Sequence, residues 1–215
     1  MTGHDAMLPV LRGDGFALRP LERAHAGAVL SLLREPGVSR WRGVYDADKL
    51  ERDFFDQEWA YTYLIVVEGE TAGVLQFHEE TDPGHKHAGV HITLGERFQD
   101  RGLGTRALRR LIRYRIDERG HHRMTIDPSA HNPRAIRVYE KVGFWPLGVM
   151  RKHELDSTGE WNDGRLMDLL AEEFIEGYVP PGALIPHRTR LIGHAWKMIA
   201  NRSAAGSTHC TATRG

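Results

Sequence analysis

The chain has very little cysteine: one residue, Cys210, in 215. A single thiol closes no intrachain disulfide and supplies no thiolate cluster for a metal. It also lacks net charge, because 29 Lys and Arg balance 29 Asp and Glu. That balance argues against bulk electrostatic binding to nucleic acid or to an anionic membrane. No apolar run approaches the ~20 residues that cross a bilayer. The opening MTGHDAMLPV shows no basic segment followed by an apolar one, so no secretory signal is expected. These absences lead to the expectation of a cytoplasmic protein without nucleic-acid or membrane partners. What is present, 40% apolar and 27% charged residues, suits a globular domain with one core and a small appendage.

Periodicity divides the chain into elements. A strand is predicted over 15–21 and a helix over 23–37, closed by Pro36-Gly37. A polar helix over 47–59 carries Leu50, Phe54 and Phe55 as its apolar positions. Strands over 61–69 and 71–80 meet at a tight turn at Gly69-Glu70, and another strand runs over 87–95. A long helix over 102–119 places Leu103, Ala107, Leu108, Leu111 and Ile112 on one face. A strand over 122–128 follows. Asn132 and Pro133 then open a shorter helix as N-cap and first-turn proline, and Gly143 closes it. Two last strands flank a turn at 157–159. This order predicts an α+β (α/β) domain over residues 1–175, with helices packed on the faces of a sheet.

Residues 176–215 read as a tail. Leu191, Ile192, Ala195, Trp196 and Ile199 form an apolar stripe in a basic segment, which predicts an amphipathic helix over about 188–202. It docks on its own domain or meets a partner or membrane surface. Residues 203–215 are expected to be flexible.

The stretch RFQDRGLGTRAL (97–108) puts glycines at the entry of the long helix, an arrangement that suits an anion. A Walker loop needs lysine directly after its last glycine, and Gly104 is followed by Thr105-Arg106. Gly102 to Ala107 does match G-x-G-x-x-A, with Asp127 about 20 residues on. However, residues 96–101 separate these glycines from the strand, and five elements precede that strand. The third reading is a pyrophosphate loop of the form Gln-x-x-Gly-x-Gly, here Gln99 to Gly104. Glycines let backbone N–H groups turn inward, and the positive end of the helix dipole faces the anion.

Twenty-eight positions after Gly104 begins NPRAIRVYEKVGF (132–144). With both motifs in hand, the chain resembles the GNAT superfamily of acetyl-CoA-dependent N-acetyltransferases over roughly residues 14–174. The resemblance implies a central mixed, mostly antiparallel sheet with a splayed strand pair and helices on both faces. It implies acetyl-CoA as co-substrate, no metal, and direct attack by an amine without a covalent enzyme intermediate. Main-chain groups of Ile92, Thr93 and Leu94 would meet the pantetheine arm. Gln99, Asp100, Arg101, Gly102, Leu103, Gly104 and Thr105 would hold the pyrophosphate, with Arg106 reaching a phosphate. Asn132, Arg134, Ala135 and Tyr139 would complete the coenzyme site, and Tyr139 would protonate the departing thiolate. Helical spacing separately sets Asn132, Ala135, Ile136 and Tyr139 on one stripe; a core aromatic is the other reading of Tyr139.

His91 has a residue type suited to removing a proton near neutrality, and a half-buried strand histidine is its alternative. Asp127 is a second candidate base, a binder of a cationic substrate, or a cap for the turn at Pro128-Ser129. TIDPSAHNPRAIRVYEKVGF (125–144) is most similar to the aminoglycoside 6'-N-acetyltransferase branch, as are TDPG (81–84), Gln76 and Asp163-Gly164. That resemblance implies an acidic cleft of Asp82, Asp127, Asp163 and Glu79 or Glu80, walled by Trp41, for a small polycationic amine. His91 in VHITLG resembles instead the siderophore-biosynthesis acyltransferases that acylate hydroxylysine. GEWNDGRLMDLLAEEF (159–174) resembles the branch acting on protein N-termini and diverse small amines. A non-catalytic CoA-binding sensor is the reading from another class. The pairs His85/His87 and His121-His122 are expected as exposed turn residues, and Arg106, Arg109, Arg110 and Arg113 as a mostly solvated face. A monomer or homodimer is expected.

Overall fold

The computed structural model describes residues 8–57, 59–156 and 158–174. The expected tail helix, the flexible end and Cys210 lie outside the described residues. Among the described residues the elements run β1 (Leu11–Gly13), β2 (Phe16–Pro20), α1 (Ala26–Leu33), α2 (Pro36–Arg42), α3 (Ala47–Phe54), β3 (Ala60–Val67), β4 (Glu70–Glu80), β5 (His87–Leu94), α4 (Leu103–Asp117), β6 (Arg123–Ile126), α5 (Pro133–Val142), β7 (Trp145–Leu155) and β8 (Trp161–Leu170). The eight strands form one sheet in the order β1-β2-β3-β4-β5-β6-β8-β7. Every neighbouring pair is antiparallel except β5 and β6.

The sheet is covered on both faces, which explains why β3 and β4 read as apolar runs. Successive side chains alternate between faces. Tyr63, Ile65, Leu75 and Phe77 join the core beneath α4 and α5, built around Leu108, Leu111, Ile112 and Val142. Leu64 and Val74 join the opposite core with Val29, Leu33, Leu50 and Phe54 from α1 and α3. The stripe predicted for the long helix is thus the buried face of α4.

Four differences from the sequence expectations have local causes. Proline disfavours a helical conformation in the residue before it, so Glu35 is extended (ψ 134°) and the first helix stops at Leu33. Pro36 then opens α2 rather than closing its predecessor, and α2 carries Trp41 and Arg42. The short β1 pairs with β2 around Gly15, which has φ +73°. The arginine face of α4 is not simply solvated: Arg106 and Arg110 donate to the carbonyls of Asp14 (3.2 Å) and Arg12 (2.9 Å), and Arg109 donates to the Val142 carbonyl (3.1 Å). Finally, His121 is buried rather than exposed. It lies 3.3 Å from the carboxylate of Glu79, which also pairs with buried Arg115.

Candidate active site

The splayed pair is β5 and β6. They pair only at Ala88–Met124 and Gly89–Thr125, so the backbone of 91–94 has no strand on that side. A cavity of about 470 Å³ opens there, between the end of β5, the start of α4, α5 and α2.

One end of the cavity is a main-chain device. Gly102 is the N-cap of α4 in a left-handed conformation (φ +71°), with no side-chain cap. The first backbone N–H groups of a helix have no intrahelical acceptor, and here Leu103, Gly104 and Thr105 line the cavity. No acidic residue occupies the first turn of this 15-residue helix. Its N-terminus therefore offers open donors and the positive end of its dipole to an anion. Gln99 donates to the Leu94 carbonyl (2.7 Å), tying the loop to the end of β5. Asp100 pairs with Arg134 (3.2 Å), tying it to α5. Asn132 caps α5 by accepting from the Ala135 N–H (3.0 Å), which leaves its amide nitrogen as its free donor. Ile92, Thr93 and Leu94 line the cavity along the open strand edge. These residues fit a coenzyme with a pyrophosphate and an extended amide-bearing arm.

The other end is made of side chains. Tyr139 is buried on α5, and both it and Trp41 line the cavity. Burial raises the Tyr139 pKa well above the ordinary phenol value, with Arg42 opposing and Asp127 adding to the rise, so the phenol stays protonated. His91 on β5 faces Asp127, which follows β6, with Nδ1 and Oδ1 3.6 Å apart. His153 on β7 approaches the other carboxylate oxygen at 3.0 Å. Burial, helped by the charges of Arg42, His78 and His153 and opposed by Asp127, lowers the His91 pKa to about 4. The imidazole is therefore neutral near pH 7, with Nδ1 turned to the carboxylate and Nε2 left open. The His78 ring stacks on His91 with centroids 6.2 Å apart. It fits because Gly89 has no side chain: a Cβ there would come within 2.1 Å of the His78 ring.

Most of the expected site residues converge, and five do not reach the cavity. Arg106 is spent on Asp14, and Arg101 lines a separate pocket with Arg97 and Glu70. Gln76 donates to the Asp53 carbonyl (3.0 Å) and accepts from Arg42 (2.9 Å). Asp82 binds its own turn through the Gly84 N–H (2.7 Å). Asp163 accepts from the Lys152 N–H (2.8 Å). The acidic cleft shrinks accordingly, since Glu79 is sealed against Arg115 on the far face. Asp127 is retained, and Glu154 joins it at this end of the cavity. Burial raises the Glu154 pKa. Arg42, His153 and Glu154 were not anticipated. Arg42 adjoins Trp41 in sequence, but nothing local marks His153 or Glu154, which a strand bulge turns inward.

Comparison with known proteins agrees with this arrangement. The family model described as an acetyltransferase (GNAT) domain matches residues 16–145. Spermidine N(1)-acetyltransferase of Escherichia coli (strain K12) is 26% identical over 172 residues, covering 77% of this chain and 91% of that protein. Aminoglycoside N(6')-acetyltransferase type 1 of Klebsiella pneumoniae is 35% identical over 157 residues, covering 64% of this chain and 77% of that protein. Among solved structures, spermidine N-acetyltransferase from Vibrio cholerae in complex with CoA and spermine has a TM-score of 0.65 at 19% identity, covering 76% of this chain and all (100%) of that one. Family and geometry agree: the chain belongs to the GNAT acetyltransferases and is an N-acetyltransferase, a class of enzyme that moves an acetyl group from acetyl-CoA to an amine.

Proposed function

We propose that the acceptor is a primary amine on a small polycationic molecule, with a 6'-amino aminoglycoside as the first candidate. The observation that carries this reading is Asp127. Its carboxylate lies at the acceptor end of the cavity, within 3.6 Å of His91, and can hold an ammonium beside the group that deprotonates it. The 35% identical aminoglycoside relative supports the same acceptor class.

In this reading the N-terminus of α4 holds the pyrophosphate and the open edge of β5 holds the pantetheine arm. A backbone N–H of 92–94 polarises the thioester carbonyl. His91 takes a proton from the substrate ammonium through Nε2, directly or by one water, while Asp127 keeps the Nδ1–H in place. The neutral amine attacks, the N–C bond forms, the C–S bond breaks, and the nitrogen releases its second proton to water to leave a neutral amide. Tyr139 gives its proton to the departing sulfur. No bond to the enzyme is needed.

A second reading has its own observation. His91 lies in VHITLG, the stretch that resembles the siderophore-biosynthesis acyltransferases, and the Arg42 guanidinium in the cavity wall offers a partner to a carboxylate. Both features suit hydroxylysine. The test follows free-thiol release from acetyl-CoA with 6'-amino aminoglycosides, spermidine, N6-hydroxylysine and short peptides. The proposal expects kcat/KM for an aminoglycoside to exceed that for hydroxylysine at least tenfold, about 1.4 kcal/mol of transition-state preference. Turnover confined to hydroxylysine would install the second reading, and turnover confined to peptides would overturn both.

A further inference from the structure

The Asp163-Gly164 pair lies outside the cavity, yet it touches both segments that converge on Asp127. On one side, β8 holds the turn that carries Asp127. Arg165 N–H donates to the Pro128 carbonyl (2.8 Å), Ala130 N–H donates to the Asp163 carbonyl (2.8 Å), and Gly164 bridges Ser129. On the other side, β8 shapes β7. Pairing holds its register from Gly148–Leu166 to Met150–Gly164, then slips and resumes at Glu154–Asn162. Inside the slip Lys152 takes a left-handed conformation (φ +51°), uncommon for a residue with a side chain. The Asp163 carboxylate accepts its N–H at 2.8 Å and so holds the bulge. A bulge changes which face the next side chain meets, and the next residue is His153.

Gly164 makes the remaining room. A Cβ at this position would lie 2.6 Å from Cδ2 of His153 and 3.0 Å from Cγ, closer than carbon atoms pack. With glycine there, the imidazole lies against β8 and its Nε2 reaches Asp127 Oδ2 at 3.0 Å.

We propose that Asp163, Gly164 and His153 are positioning residues. Asp163 pins the bulge, Gly164 seats the ring, and His153 Nε2–H occupies one carboxylate oxygen of Asp127 so that the other faces His91. This inference rests on the reading of His91 and Asp127 as the proton path, and its main readout does not depend on that reading. The groups facing Asp127 and His91 are Arg42 from α2, His78 from β4, Tyr139 from α5, and His153 and Glu154 from β7. Of these, His153 alone bonds the carboxylate directly, and its charge opposes protonation of His91.

The experiment compares His153→Ala, His153→Gln and Gly164→Ala with the unaltered chain. It reads the ring titration of His91 by nitrogen NMR, then kcat and both KM values by thiol release. Acetyl-CoA affinity by calorimetry serves as the folding control. The expected result is a rise in the His91 midpoint in His153→Ala and Gly164→Ala, with kcat down roughly tenfold and KM for acetyl-CoA unchanged. His153→Gln, whose amide nitrogen can stand at the Nε2 position, recovers most of the lost kcat. An unmoved His91 midpoint in both alanine variants would overturn the proposal, as would a glutamine variant as slow as the alanine one. If Gly164→Ala does not fold, the two His153 variants decide alone. A His91→Ala chain with undiminished kcat would sink the proton path while leaving the NMR result to judge the positioning.

Discussion

Two carboxylates on this sheet each gather two basic partners, and they do different work. Glu79 meets Arg115 and His121, whose side chains are 1% and 0% exposed. Asp127 meets His91 and His153, at 41% and 35%. Burial alone would raise the Glu79 pKa, but hydrogen bonds from His121 and Arg115 and the Arg115 charge hold it at about 2. That carboxylate is locked as an anion and Arg115 stacks on Phe77, so the cluster is a sealed strut between β4 and α4. The second cluster opens on the cavity, and its histidine keeps an open nitrogen. Similar residue types give structure where water and ligand are excluded and, in the proposed mechanism, a proton path where a cavity admits them. The two faces of β4 make the choice: Glu79 points to the α4 side, while its neighbour His78 points to the acceptor side and stacks on His91.

Breaking the sealed cluster should have the largest effect on the fold. Glu79→Ala leaves Arg115 buried without its carboxylate and is expected to cost about 3–5 kcal/mol in denaturant unfolding. The folded fraction should bind acetyl-CoA with unchanged affinity. The pH dependence has a definite sign. The folded Glu79 pKa lies below its unfolded value of 4.5, so its contribution is complete above about pH 5 and disappears as pH falls toward 2. The stability gap between the unaltered chain and Glu79→Ala should narrow over that window and stay constant above it. Breaking the open cluster should do the reverse. Asp127→Asn is expected to lower kcat about 10²-fold and to change unfolding free energy by less than about 1 kcal/mol. The smallest effect belongs to a carboxylate outside both clusters: Asp82→Asn should leave kcat/KM for the best amine within about twofold, because Asp82 serves only its own turn.

The two ends of the cavity differ in how far they could be read in advance. Most of the coenzyme end was legible because its parts are local, while Arg101 and Arg106 were expected there and lie elsewhere. Gly102 needs a positive φ, Asn132 and Pro133 open a helix, and helical spacing puts Tyr139 on the stripe of Asn132. Each of these is settled within a few residues of chain. The acceptor end was read only in part. His91, Asp127 and Trp41 were anticipated, while Arg42, His153 and Glu154 were not. Gln76, Asp82 and Asp163 were expected in the cavity and serve elsewhere.

By itself, then, the sequence determined most of the elements, the glycine-capped start of α4 and the place of Tyr139 on the stripe of Asn132, because hydrogen bonding and side-chain period along a chain are short-range properties. Tertiary structure decided which acidic groups line the cavity. That outcome depends on strand order, on a bulge that turns His153 inward, and on two glycines, Gly89 and Gly164, that leave room for imidazole rings from other strands. A glycine reserved for a neighbour's side chain has no signature in its own surroundings, since the atoms it makes room for come from a distant part of the chain.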